Sequence, residues 1–241
     1  MKKFSNYTFN RDWELALIED FMREGVNDPG IFKAFYTAGG PGSGKSYIAS
    51  QSGMGKNNPY GLKIVNSDPL FTKMLKDAGM ATTATDIFSD EGQAIRDKAK
   101  KLVSKQQSGW IEGRLGLLID GTGKDYNKIK KSADVLRKIG YDTFMIFVNT
   151  SLDVALQRNE DRARSLDEKE VEKMWNAVQR NMGKFQSYFG RDSFLLVDNN
   201  SAGEDVFTKI FVEIGKLIDK KPTSRAANAW IELQHKINRR G

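Results

Sequence analysis

The stretch AGGPGSGKSYIAS, Ala38 to Ser50, sits between an apolar run, Phe32 to Thr37, and a helical pattern. Gly39, Gly44, Lys45 and Ser46 fit the spacing G-x-x-x-x-G-K-[S/T], with Gly40, Pro41, Gly42 and Ser43 filling the loop between them. Glycines let successive backbone N–H groups turn inward around phosphate oxygens, and a following helix presents the positive end of its dipole. Lys45 is expected to reach the β and γ phosphates of a nucleotide, and Ser46 to hold its Mg²⁺, with Tyr47 next along the chain. A glycine-rich strand-to-helix turn is the plain alternative. The complete motif, with strand before and helix after, favours nucleotide binding.

Working outward, four later apolar runs have the length of buried strands: LKIVNSD (62–68), LGLLIDG (115–121), TFMIFVN (143–149) and SFLLVDN (193–199). Between them lie helical patterns at 91–106, 125–140, 151–164 and 167–189. Strand and helix in alternation predict an α/β fold in three layers, a five-stranded parallel sheet with helices on both faces, because parallel neighbours need right-handed crossovers. Ligands of such sheets gather outside the carboxyl ends of the strands, where Gly39, Asp68, Asp120, Asn149 and Asp198 fall. No fixed-period repeat or low-complexity linker interrupts the chain, which reads as a single domain over residues 1–241. Within it, residues 1–30 form an N-terminal helical extension, with Trp13, Leu17, Ile18 and Phe21 at helical spacing and Gly25 as a cap. Residues 31–220 form the core, with a lid at about 157–170. Residues 221–241 form a basic C-terminal helix, whose Trp230, Ile231, Leu233 and Ile237 suggest docking on the core. The least regular stretches, 57–60 and 77–92, are candidate loops near the ligand.

Phosphate chemistry needs more than a cradle. Asp120 closes an apolar run and is placed to hold a Mg²⁺-bound water or a substrate hydroxyl; the bland reading is a cap before a helix. Thr122, two residues on, is a further substrate-contact candidate. Asp68 precedes a proline and a helix-like segment, so its carboxylate can orient or deprotonate an attacking hydroxyl, with helix capping as the alternative. Arg158, Arg162 and Arg164 follow the fourth strand, the first two at helical spacing, and suit a lid that stabilises charge on a transferred phosphoryl group. Local pairing of these arginines with Glu160 and Asp161 is the competing reading.

Composition narrows the field. The 241 residues carry 38 Lys and Arg against 31 Asp and Glu, a formal charge of +7, which suits an anionic partner: nucleotide, nucleic acid or a phosphorylated small molecule. No cysteine and one histidine, His235, exclude disulfides, thiolate zinc sites and histidine clusters within one chain. No window approaches the roughly 18 apolar residues of a membrane span, and the N-terminus lacks the apolar stretch of a signal peptide, so a cytoplasmic location with no membrane partner is expected.

The motifs GGPGSGKS, NSD after the second strand, IDGTG after the third and RNEDRAR together resemble small P-loop kinases, especially the zeta-toxin-like and polynucleotide-kinase-like group. From about Phe32 to Lys220, with FVNTSLDVALQRN and FLLVDNN, the chain is also similar to kinase-like proteins of tailed bacteriophages. That resemblance implies the P-loop NTPase fold with a helical lid, ATP and Mg²⁺ as cofactors, and phosphorylation of a hydroxyl on a small molecule, nucleotide sugar or polynucleotide. By the same resemblance Lys45 binds phosphate, Ser46 binds Mg²⁺, Asp68 is the base and the lid arginines stabilise charge. Two departures leave the acceptor open. Zeta-type proteins usually carry Glu where this chain has Asp120, and polynucleotide kinases usually have an arginine shortly after the base that SDPLFTK lacks. An ATP-hydrolysing or nucleotide-switched protein acting on nucleic acid or in phage assembly is the alternative, but Gly121 stands where such proteins normally place a hydrolytic glutamate. Guanine reading is disfavoured because NKIK, Asn127 to Lys130, lacks the final Asp of N-K-x-D. A structural partner-binding protein is the third reading, resting on Trp230 and the basic tail.

Overall fold

The computed structural model describes residues 25–45, 61–161, 166–201 and 204–239, with backbone only for 204–207. The expected N-terminal helix and the 57–60 loop lie outside these residues. Chain order runs β1 (Lys33–Ala38), β2 (Lys63–Val65), α1 (Asp68–Asp77), α2 (Ala84–Phe88), α3 (Asp90–Glu112), β3 (Leu117–Ile119) and α4 (Tyr126–Lys138). There follow β4 (Asp142–Asn149), α5 (Leu152–Glu160), α6 (Glu168–Phe189), a 3-10 turn (Arg191–Ser193), β5 (Phe194–Asp198), α7 (Glu204–Asp219) and α8 (Arg225–Asn238).

All strand pairs are parallel, in the order β2-β3-β1-β4-β5. Every residue of β1 is buried, because successive side chains point to opposite faces and both faces are covered. Ala34, Tyr36 and Ala38 join Met145 and Phe147 of β4 beneath α4, α6 and α8. Phe35 joins Phe144, Ile146 and Val148 beneath α7, which contributes Ile210, Ile214 and Leu217. A satellite cluster of Phe71, Leu75, Ile87 and Ala99 binds α1, α2 and α3 together. The expected α/β sheet with helices on both faces is therefore present.

Segment 77–92 differs from expectation. It holds α2 and the start of α3, each capped by a hydroxyl: Thr83 accepts from the Asp86 N–H and Ser89 from the Gly92 N–H. Its Ile87 is buried in the satellite cluster, and none of its residues lines the cavities described below. The C-terminal helix also docks by fewer residues than expected. Ala227, Trp230 and Ile231 form the i, i+3, i+4 stripe that packs on the core, with Trp230 edge-on to Phe32, whereas Leu233 and Ile237 are more than half exposed. Among the described residues no helix is long and apolar enough to cross a membrane.

At the sheet edge opposite the strand carboxyl ends, Lys33 and Asp142 begin β1 and β4 in register. Lys33 is fully buried, its ammonium 2.8 Å from the Asp142 carboxylate, which also accepts bonds from the N–H and hydroxyl of Thr223. A buried ammonium is tolerated only when paired and hydrogen-bonded in this way.

Three tyrosine hydroxyls are also fixed. Tyr36 bonds Ser132 at 2.8 Å, Tyr141 donates to the Leu115 carbonyl at 3.0 Å and Tyr188 donates to Asp134 at 2.5 Å. Burial raises the pKa of each above the ordinary 10.0, reinforced for Tyr188 by the bond to Asp134. A raised folded value means that stability is complete below the unfolded value and is lost as pH rises from there towards the folded one. The melting temperature should thus hold to about pH 9 and fall above about pH 10, and Tyr36→Phe should shallow that fall. A pH series of thermal melts checks it.

Candidate active site

The loop after β1 is held from several sides. A Cβ at Gly39 would lie 2.5 Å from Ser43 Oγ and 2.9 Å from the Val148 carbonyl, so the loop closes on itself only without a side chain there. Gly42 has φ +71°, and a Cβ would meet the Ala155 carbonyl of α5 at 2.8 Å. Arg158 donates to the Gly42 carbonyl at 3.2 Å and Asn199 to the Ser43 carbonyl at 2.8 Å, while the Gly39 N–H donates to Thr122 at 3.0 Å. Gly40 rests against Trp175, whose indole N–H donates to the Thr150 carbonyl at 2.8 Å. The result is a hollow of about 210 Å³ lined by residues 39–45 with Thr122, Leu166 and Met174. Gly42→Ala should cost at least about 1 kcal/mol through its backbone conformation alone, with a further penalty from α5, read as a drop in melting temperature and weaker nucleotide binding.

Asp120, just past β3, is the centre of the second half. One carboxylate oxygen accepts from the Lys45 ammonium at 2.5 Å and the Thr37 hydroxyl at 2.7 Å; the other accepts from the Asn66 amide at 2.8 Å. Lys45 and Asp120 are 14% and 9% exposed, so this is a largely desolvated ion pair. Asp120 does not cap the following helix, since Asp125 does that by accepting from the Lys128 N–H. The Asn66 carbonyl oxygen accepts the Asp68 N–H at 2.8 Å, so one amide side chain ties the Asp68 turn to Asp120. Asp68 itself is the first residue of α1, followed by Pro69 as suits a helix start. Its carboxylate is exposed and makes no hydrogen bond or ion pair among the described residues, so it has no capping duty.

A cavity of about 440 Å³ opens between α3 and α4 beside these groups. Asp68, Asp120, Tyr36, Ile119, Val103 and Ser132 are among the residues that line it. Lys45 and Thr122 line both this cavity and the loop hollow. The two spaces share a wall.

Not every expected residue gathers here. Asn149 accepts from Gln179 at 2.7 Å and Asp198 accepts from Asn200; neither lines either of these two spaces. Helix α5 runs over Leu152–Glu160 and carries Arg158 in its last turn. Arg162 and Arg164, like Ser46 and Tyr47, lie outside the described residues. Arg158 meets the loop backbone. Sequence reading overlooked Thr37, Asn66, Asn159, Trp175, Asn181 and Asn199. Of these, Asn66 stood inside the quoted NSD and Asn199 at a strand end, which were usable signals. Buried Asn159 exchanges two bonds with the backbone of Leu166, at 2.8 and 3.0 Å. Asn181 of α6 donates to the carbonyls of Gly123 and Lys124, bracing the turn after Asp120.

A family profile described as "AAA domain" matches residues 35–184, more than half of the chain. The chain belongs to the AAA-domain family. No curated protein matches this AAA domain in sequence. Its fold is similar to the AvrRxo1-ORF1:AvrRxo1-ORF2 complex with sulphate ions, at 15% identity and TM-score 0.54, covering 80% of this chain and 65% of that one. The same complex with ATP matches at 15% identity and TM-score 0.51, covering 80% and 64%. A presumptive kinase from Chloroflexus aurantiacus j-10-fl matches at 13% identity and TM-score 0.53, covering 76% of this AAA domain and 97% of that chain. The chain spans just under two thirds of the chains it matches in these two AvrRxo1 structures, and at these identities the likeness is one of fold.

Proposed function

We propose that the protein is an ATP-dependent phosphotransferase that moves the γ-phosphate to a hydroxyl group. The observation that carries this reading is the shared wall: the glycine loop and the cavity lined by Asp68 meet at Lys45 and Thr122. A hydrolase or switch needs a phosphate cradle and an ordered water, but not a second, sided cavity of about 440 Å³ next to the cradle lysine. The ATP complex of similar fold supports the choice of nucleotide.

In this reading the loop amides of Gly40, Gly42 and Gly44 hold the phosphates, and Lys45 leaves Asp120 to neutralise the β and γ oxygens. Asp68 takes the proton of the acceptor hydroxyl as its oxygen bonds to the γ-phosphorus, and the bond to the β–γ bridging oxygen breaks to leave ADP. Arg158 stiffens the loop from α5, and Arg162 and Arg164 are proposed to stabilise charge on the transferred group. Mg²⁺ fits the donor set: Asp120 offers a desolvated, ionised carboxylate and Ser46 a hydroxyl, a pair that leaves the remaining positions to phosphate oxygens and water, as this cation prefers. Held there, it would neutralise charge on the phosphates. Nucleic acid stays a proposed acceptor alongside nucleotide sugars and small metabolites.

The test is transfer from γ-labelled ATP to nucleoside monophosphates, nucleotide sugars and 5′-hydroxyl oligonucleotides. Label should enter an acceptor, and Lys45→Ala should reduce transfer by about a thousandfold. Wild-type protein that labels nothing, yet releases phosphate only when DNA or RNA is added, would refute the proposal.

A further inference from the structure

We propose, resting on the phosphotransferase reading, that the acceptor is a small molecule already bearing a phosphate group, gripped by lysines on opposite walls of the 440 Å³ cavity while its hydroxyl meets Asp68. Lys100 of α3 stands on one wall; Lys124 and Lys128, flanking the start of α4, stand on the other. The acidic groups that face them are largely committed. Asp120 serves Lys45, Thr37 and Asn66, and Asp125 accepts the Lys128 N–H as the α4 cap. Lys100 has an exposed Asp97 at 3.4 Å, a weak surface pair. The ammonium groups of Lys124 and Lys128 form no ion pair among the described residues. Only Asp68 remains open, and the acceptor hydroxyl uses it.

An independent observation lies one helical turn before Lys100. Arg96 stacks its guanidinium on the Phe71 ring at 4.3 Å, and its Nε is buried with no hydrogen-bond partner. Phe71 is itself three residues after Asp68, so this planar cation is anchored on the same short helix that carries the proposed base. A stacked guanidinium with unspent donors is built for a phosphate or carboxylate, which accepts two N–H bonds at once. Lys100 and Val103 of α3 line the cavity, and Arg96, one turn before Lys100, continues their helical row beyond the lining.

Size decides against a polymer. The cavity lies within the range of small-molecule sites, and the Tyr36–Ser132 hydrogen bond at 2.8 Å ties two of its lining residues together. Its interior is apolar along Val65, Val103, Ile119 and Ile129, which suits a ring or carbon chain between the anionic end and the reacting hydroxyl.

The experiment fills the glycine loop with a non-hydrolysable ATP analogue and then titrates matched pairs by calorimetry: glycerol and glycerol phosphate, glucose and glucose 6-phosphate, adenosine and its 3′-monophosphate. Phosphorylated members should bind at least about tenfold tighter than their parents. The double variant Lys100→Ala, Lys128→Ala should erase that preference while changing analogue affinity less than about twofold, and Lys100→Arg, Lys128→Arg should restore it. Equal binding within every pair, no binding of any phosphorylated member, or a 5′-hydroxyl oligonucleotide that outbinds them all overturns the inference alone. Failure of the ATP analogue to bind overturns the phosphotransferase reading beneath it.

Discussion

Asp68→Asn should lower the rate of phosphoryl transfer by about a hundredfold to ten-thousandfold, the usual worth of a positioned general base. The amide keeps the size of the carboxylate and takes no proton. Because the Asp68 side chain bonds no other described residue, the substitution removes no structural support, and its own N–H still reaches Asn66. ATP affinity and melting temperature should therefore match the wild type. Single-turnover transfer measured beside nucleotide titration separates these outcomes, and full activity in the variant would remove Asp68 from the chemistry while leaving the donor loop untouched.

Asp120→Ala should act on both stability and rate. Three donors lose their acceptor at once, one of them the Lys45 ammonium in a site only 14% exposed. Removing one member of a largely buried pair leaves an uncompensated charge, a loss of about 3 kcal/mol. Urea unfolding should show a lower midpoint with unchanged slope, and saturating ATP should recover part of the loss, since its phosphates give Lys45 a new partner. Asp120→Asn keeps an acceptor for Thr37 and should fall between the two. A variant as stable as wild type would mean that Lys45 is solvated in solution.

The contrast between these residues marks what sequence could reveal. The glycine loop was legible because its chemistry is local: eight consecutive positions fix the turn, the charge and the hydroxyl. The sheet was legible because strands buried on both faces read as unbroken apolar runs. Their ends were not, since β2 and β3 pair over only three residues each before Asn66 and Asp120 leave the ladder and turn towards each other. Asp120 could be named, but not the set around it: Thr37 lies 83 residues away in sequence and Asn66 54, and only the parallel register of β1, β2 and β3 brings them together. Segment 77–92 misled because its polar small residues read as loop, although Thr83 and Ser89 are helix caps with their acceptor spacing in plain view. Arg158 could be named too, but not its partner, the Gly42 carbonyl 116 residues away in sequence, which only the fold brings within reach.

The Lys33–Asp142 pair carries a consequence for how the chain is made. All five strands have left the ribosome by Asp198, yet the carboxylate of Asp142 is not fully bonded until Thr223 arrives, 81 positions downstream. A nascent chain that ends before Thr223 thus lacks two of the donors to Asp142, and it lacks Trp230 against Phe32. Vectorial synthesis leaves that edge open to chaperones until the last helix emerges. Premature stop codons between residues 199 and 223 should therefore yield chains that possess every catalytic candidate and are nonetheless cleared by quality control.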